Sequence, residues 1–177
     1  MRKVVVYELL SLDGVAEGPD DFITDFDEAM RDNLERVIAT QDAVLLGRRT
    51  FDDWAQFWPA KTTPFAGFIN KTQKFVATST PLEHGWANVA VIDGDVTRFV
   101  SELKDETGGD IGVHGSITLT QSLLEAGLVD ELRLVVAPSI QMHGRRLFER
   151  GMPKRLSLVR TVTSPTGYLL IDFRVAS

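Results

Sequence analysis

Cysteine is absent from this 177-residue chain, which excludes a disulfide framework, a thiolate nucleophile and a thiolate metal site. Histidine is scarce: His84, His114 and His143 are far apart and no H-E-x-x-H occurs, so no metal is expected. Long apolar runs are missing too. No stretch approaches the roughly 20 apolar residues of a membrane span, and the opening MRKVVVYELL is of strand length, too short for a secretory signal. Positive charge is in deficit, with 25 acidic against 19 basic residues and a net charge of −6, which argues against nucleic acid as a partner. The expectation is a cytoplasmic protein without membrane or nucleic-acid partners, one that meets any anionic ligand locally. Several nucleotide and hydrolase signatures are also lacking. Gly109, Gly112 and Gly115 have the wrong spacing for G-x-G-x-x-G, and neither a G-x-x-x-x-G-K-[ST] loop nor a G-x-S-x-G elbow occurs.

What is present reads as one domain over 1–177, since a chain of this length buries one core. Val4, Val5, Val6, Tyr7 and Leu9 form a strand-like run that ends at Ser11-Leu12-Asp13-Gly14. Ala16 to Asp25 reads as a surface loop. Phe26, Met30, Leu34, Val37 and Ile38 then recur at helical spacing, with Thr24 or Asp25 expected as the cap. The strand Ala43–Leu46 leads through Gly47-Arg48-Arg49-Thr50 into a short helix, Phe51–Phe57. Strands at Lys74–Thr78 and Val89–Ile92, a helix capped by Asp95, a strand at Ile111–Val113 and a helix opened by Gly115-Ser116 follow. The last third changes to alternating strands, closing with a hairpin around Ser164-Pro165-Thr166-Gly167. This order predicts an α/β fold: a mixed, mainly parallel central sheet, helices on both faces, and antiparallel strands at one edge.

Three segments carry chemistry. Gly47, Arg48, Arg49 and Thr50 sit where a buried strand ends and a helix begins, the position at which such sheets place ligands. Guanidinium groups and free helix amides would attract a phosphate there. Equally, Thr50 with Asp53 fits a capping box with solvated arginines. Thr78, Ser79 and Thr80 offer hydroxyls at another strand end, and are also ordinary loop residues before Pro81. Gly115, Ser116, Ile117 and Thr118 open a helix where the backbone can approach a pyrophosphate closely, while Ser116 also reads as a helix cap.

Taken together, SLDG at Ser11–Gly14, LLGRRTFDDW at Leu45–Trp54, Thr78-Ser79-Thr80, GGDIGVHGS at Gly108–Ser116 and GLVDELRLVVAP at Gly127–Pro138 resemble the dihydrofolate-reductase-like family over nearly the whole chain. The likeness is strongest to the branch containing the reductase domain of bifunctional riboflavin-biosynthesis deaminase/reductases. The resemblance implies a three-layer dihydrofolate-reductase-like fold and NADPH as cofactor. It places Gly47, Arg48, Arg49 and Thr50 on the cofactor phosphates, and Thr78 and Ser79 on the adenosine ribose or its 2′-phosphate. Gly115, Ser116, Ile117 and Thr118 fall on the pyrophosphate, and Ala16 against the nicotinamide. The chain departs from folate reductases at Thr24-Asp25-Phe26-Asp27-Glu28, where their Trp-containing acidic motif would stand.

The reaction expected is hydride transfer to a C=N or C=O carbon of a small heterocycle, pteridine- or pyrimidinone-like. Asp13 is the candidate for substrate orientation or acid assistance, with Asp27 and Asp25 as further choices. A non-catalytic nucleotide-binding homodimer, acting as sensor or carrier, is the rival. A loosely specific xenobiotic reductase using Trp54, Phe57 and Trp58 is a third reading. Leu169, Ile171 and Phe173 near an edge predict a homodimer through the late strands.

Overall fold

The computed structural model describes residues 1–149 and 151–176. Its elements run β1 (Val4–Leu10), α1 (Glu28–Ile38), β2 (Gln41–Gly47), α2 (Arg48–Phe57), α3 (Pro64–Lys71), β3 (Gln73–Ala77) and β4 (Val89–Val91). Then follow α4 (Val96–Asp105), β5 (Asp110–His114), α5 (Ile117–Glu125), β6 (Glu131–Val136), β7 (Leu156–Thr163) and β8 (Leu169–Val175). The strands form one eight-stranded sheet in the order β4-β3-β2-β5-β1-β6-β8-β7. Pairings from β4 through β6 are parallel, while β8 runs antiparallel to both β6 and β7. The mainly parallel sheet and terminal antiparallel hairpin are those expected from the sequence.

The unbroken apolar run of β1 follows from its central place. Val4, Val5 and Val6 are fully buried because helices cover both faces of the sheet. On one face, Val100 and Leu103 of α4 and Leu119 and Leu123 of α5 pack on Val4, Val6, Leu45, Ile111 and Val113. On the other, Met30 and Val37 of α1 meet Tyr7, Val135 and Leu170, while Phe51, Phe65 and Ile69 of α2 and α3 cover Val44, Leu46 and Val76. Each such side chain contributes about 1.5–3 kcal/mol by leaving water.

Three local expectations are corrected. The cap of α1 is Asp27, which accepts a hydrogen bond from Met30 N–H at 2.9 Å, rather than Thr24 or Asp25. Thr50 lies inside α2, whose first residue is Arg48, so no capping box forms with Asp53. Helix α3, absent from the sequence reading, starts at Pro64 under a Thr63 cap that accepts from Ala66 N–H at 3.2 Å. Its brevity and its Gly67 mute the helical pattern, and its anchorage comes from Phe65, Ala66 and Ile69 packing into the core.

Candidate functional site

The site arises because the middle strand of three stops early. β5 pairs with β1 only as far as Tyr7↔His114 and with β2 only to Leu45↔Val113. β1 continues along β6 to Leu10↔Val136, and β2 continues along β3 to Gly47↔Ala77. Beyond His114 the chain turns away through Gly115, at φ +62°, leaving a cleft of about 1140 Å³ between the outer two strands. An added Cβ at Gly115 would sit 3.4 Å from Trp54 Cζ2, and the left-handed backbone itself favours glycine. This is the carboxyl edge of the parallel strands, where α/β sheets bind ligands.

Of the helix starts that border the cleft, those of α2 and α5 lack a side-chain cap. Asp27, Thr63 and Asp95 cap α1, α3 and α4 by accepting from Met30, Ala66 and Arg98 N–H. By contrast Gly47 at the start of α2 has no side chain to offer, and Ser116 at the start of α5 makes no cap bond. The Ser116 hydroxyl, expected to cap α5, instead accepts from Gly47 N–H at 3.0 Å and donates to Thr50 Oγ1 at 3.0 Å. Thr50 Oγ1 in turn donates to Gly115 O at 2.9 Å, so the two turns are laced together. First-turn amides of both helices are thereby left for an anion, together with the partial positive charge of each helix start.

The arginines divide into two kinds. Arg48 is engaged: Nε donates to Asp52 at 2.7 and 2.9 Å, and Nη1 to Thr80 Oγ1 at 2.6 Å and Pro81 O at 2.7 Å. It ties the loop after β3 to α2 while its side chain still borders the cleft. Arg49 is exposed and, among the described residues, its one ion-pair contact is with Glu17 at 3.6 Å. Arg145, which the sequence reading missed, also lines the cleft; its N–H donates to Glu17 Oε2 at 3.2 Å and its Nη2 to Thr118 Oγ1 at 2.7 Å. It stands on the β6–β7 connection, where residue spacing gives no sign of its proximity to α5.

Of the residues singled out from sequence, Ala16, Gly47, Arg48, Arg49, Thr50, Gly115, Ser116, Ile117 and Thr118 all line this cleft. Ala16 is buried and fixed by its N–H donating to Arg145 O at 2.9 Å. Thr78 and Ser79 lie outside the lining, on the Thr80 loop that Arg48 holds. Trp54, Phe57, Trp58 and Phe65 supply an aromatic wall, with Trp58 edge-on to Phe65 at 4.8 Å between ring centres.

The two carboxylates expected at the chemistry, Asp13 for substrate orientation or acid assistance and Asp27 as a further choice, are both engaged by other donors. Asp13 accepts from Ser11 Oγ, from Gln141 and Met142 N–H, and from Arg146 Nη2. The amide of Gln141 above all holds its carboxyl far below the usual range, and it does not line the cleft. Asp27 accepts from Met30 N–H and from Thr166 Oγ1 at 2.7 Å, and the Thr166 hydroxyl first of all keeps it ionised. Both are anchors of backbone turns.

The floor carries a different acid. Glu8, in the apolar run of β1, is 4% exposed, and burial pushes its carboxyl up to about 8. His114, which also lines the cleft, is pushed down by burial to about 3, so the imidazole is neutral; its Nε2 meets Gln41 Oε1 at 2.8 Å. Burial also raises the Tyr7 phenol, whose ring lies 5.7 Å from that of His114. The sequence signal for Glu8 was a lone carboxylate inside a strand buried on both faces.

A three-layer α/β sheet with a cleft at its carboxyl edge, flanked by two free helix starts, defines a dihydrofolate-reductase-like domain. The chain belongs to the RibD C-terminal domain family, which matches residues 2–170. It is 30% identical to YyaP, an uncharacterized protein of Bacillus subtilis strain 168, over 97% of this chain and 94% of the relative. A pyrimidine reductase-like protein of Corynebacterium diphtheriae superposes with a TM-score of 0.71 at 16% identity, covering 99% of this chain and 92% of that one. A diaminohydroxyphosphoribosylaminopyrimidine deaminase/5-amino-6-(5-phosphoribosylamino)uracil reductase of Thermotoga maritima superposes at 0.69 with 16% identity. There the alignment spans 99% of this chain and 57% of the other. The fold is thus that of riboflavin-pathway reductase domains. Among the described residues, no helix is long and apolar enough to cross a membrane, and no cluster of His, Asp and Glu is arranged for a metal ion.

Proposed function

We propose that the protein is an NADPH-dependent reductase acting on a small flat heterocycle, pteridine- or pyrimidinone-like. The observation that carries this reading is the pair of uncapped helix starts, at Gly47 and Ser116, facing one cleft while the other three α-helices are capped by their own side chains. The donor set suits a dinucleotide. Amides of Arg49 and Thr50 on one side and of Ile117 and Thr118 on the other address two phosphate groups, and Thr118 and Arg145 add a hydroxyl and a guanidinium. Exposed Arg49, which lines the cleft, favours the phosphorylated coenzyme over NADH.

NADPH, when bound, supplies a hydride at its nicotinamide ring. The chain itself positions and encloses. Buried Ala16 offers a flat face with no bulk, and the Trp54, Phe57 and Trp58 wall sequesters a planar substrate from water. Membership of a reductase-domain family supports the same reading. The test pairs a fluorescence titration with NADPH against turnover on pyrimidinones and dihydropteridines. Saturable binding with coenzyme oxidation is the expected result, binding without any oxidation favours a carrier or sensor, and absence of binding removes the proposal.

A further inference from the structure

We propose that Glu8 is the acid of this cleft: its carboxyl donates a proton to the basic ring nitrogen of the C=N bond that is reduced. This rests on the reductase reading and specifies the substrate as a flat heterocycle with a basic nitrogen.

Geometry carries the argument. β5 parts from β1 just after Tyr7, so Glu8 is the first residue of β1 beyond the last β1–β5 pair. Its side chain lines the cleft floor, is all but fully buried, and its Oε2 meets no hydrogen-bond partner among the described residues. A buried carboxyl oxygen without a partner costs about 1–3 kcal/mol. Such a group in a cleft is matched by a ligand that completes the bond. Among the described residues, no cation pairs with Glu8 to keep it ionised. From the sheet, Tyr7 and His114 share the cleft, both uncharged at neutral pH. From α1 come Arg31 and Glu35, from α2 come Arg48, Arg49 and Asp53, and from the connections Glu17, Lys61 and Arg145. None of these hydrogen-bonds Glu8, and desolvation is the leading cause of its raised pKa, offset in part by the Leu9 amide.

The step balances as follows. With the coenzyme bound and supplying hydride to the carbon, the C=N π pair would move to nitrogen, which would take the proton from the Glu8 carboxyl. A C–H and an N–H bond would form, the C–H bond of the dihydronicotinamide and the O–H bond of Glu8 would break, the coenzyme would be oxidised to NADP+ and the imine reduced to an amine. Glu8 is left as a carboxylate that regains its proton from water entering the cleft.

The test uses the full chain with 2-aminopyridine as probe, a flat base whose ring nitrogen accepts a proton and whose amino group donates to a second oxygen. Infrared difference spectra of wild type against Glu8→Gln at pH 7 should show a protonated-carboxyl C=O band that the variant lacks. Saturating 2-aminopyridine should convert that band to carboxylate. The probe should bind wild type about tenfold or more tighter than Glu8→Gln, corresponding to at least ~1.4 kcal/mol. A missing band, a band untouched by the probe, or equal affinity for both proteins would overturn the proposal. NADPH is titrated separately into both proteins and should bind them within about twofold of each other. Loss of that binding in wild type would sink the coenzyme reading while leaving the carboxyl result to stand or fall alone.

Discussion

Gly47 and Ser116, 69 residues apart in sequence, are joined by a hydrogen bond in which the Gly47 amide donates to Ser116 Oγ at 3.0 Å. The bond aligns the β2–α2 and β5–α5 turns and diverts the one hydroxyl positioned to cap α5. Replacing Ser116 with Ala removes the bridge and leaves both helix starts in place. NADPH affinity is expected to fall about fivefold, since a net hydrogen bond contributes about 1 kcal/mol and alignment of two phosphate sites depends on it. A binding titration beside a melting curve checks this, with affinity expected to change far more than Tm.

Arg49 and Arg145 both line the cleft beside Glu17, and neither guanidinium is consumed by a close carboxylate contact as that of Arg48 is. The double variant Arg49→Ala/Arg145→Ala should weaken NADPH by about 10- to 100-fold, in line with about 1.5–3 kcal/mol for charged hydrogen bonds. NADH should be weakened less. Arg48→Ala should weaken both coenzymes, because it frees the Thr80–Pro81 loop. Parallel titrations with the two coenzymes decide the matter.

Much of this was legible in the residues, and the exceptions share a cause. The alternation of β-branched runs with helical stripes announced the layers, and the glycines at 47 and 115 marked the two turns that open onto the cleft. Glu8 was passed over because five apolar neighbours between Val4 and Leu9 settle the strand without it. Arg145 is brought to Thr118 by the chain path after β6, which no local pattern records. Asp13 and Asp27 look reactive as bare letters, but amide and hydroxyl donors supplied by residues 128 and 139 positions away occupy them. Long-range hydrogen bonding decides whether a carboxylate is an acid or an anchor, and sequence spacing is blind to it.

Stability should depend on pH through two buried groups of opposite sign. Glu8 is raised from 4.5 to about 8 and His114 is lowered from 6.5 to about 3. Between pH 4.5 and 6.5 the native state holds one proton more on Glu8 and one fewer on His114 than the unfolded chain, so their slopes cancel. From 6.5 up to about 8 Glu8 alone counts, and stability falls as pH rises by about 2 kcal/mol. From 4.5 down to about 3 His114 alone counts, and stability falls as pH falls by about as much. Urea unfolding across pH should show the alkaline loss vanish in Glu8→Gln and the acid loss shrink in His114→Asn.

Asp13→Ala and Asp27→Ala should each lower Tm, the first by releasing the Gln141 and Met142 amides and the second by uncapping α1. The rate-limiting acid group should be unaffected by Asp27→Ala, so its pH–rate profile should overlay that of wild type. A displaced profile would return Asp27 to the chemistry.

A second copy of the chain is proposed to cover the sheet edge at β7, where Leu158 and Val159 are 59% and 55% exposed. Sedimentation equilibrium should give a dimer at micromolar concentration, and Leu158→Arg should shift it to monomer. A wild-type monomer contradicts the proposal.

The claim on which the account turns is that the free first-turn amides of α2 and α5 grip the coenzyme phosphates. An amide-resolved NMR titration with NADPH tests it directly. Arg49, Thr50, Ile117 and Thr118 N–H signals should shift together and saturate, while the capped amides of Met30 and Arg98 stay in place. Saturation that leaves those four signals unmoved, or that moves all helix starts alike, would contradict it.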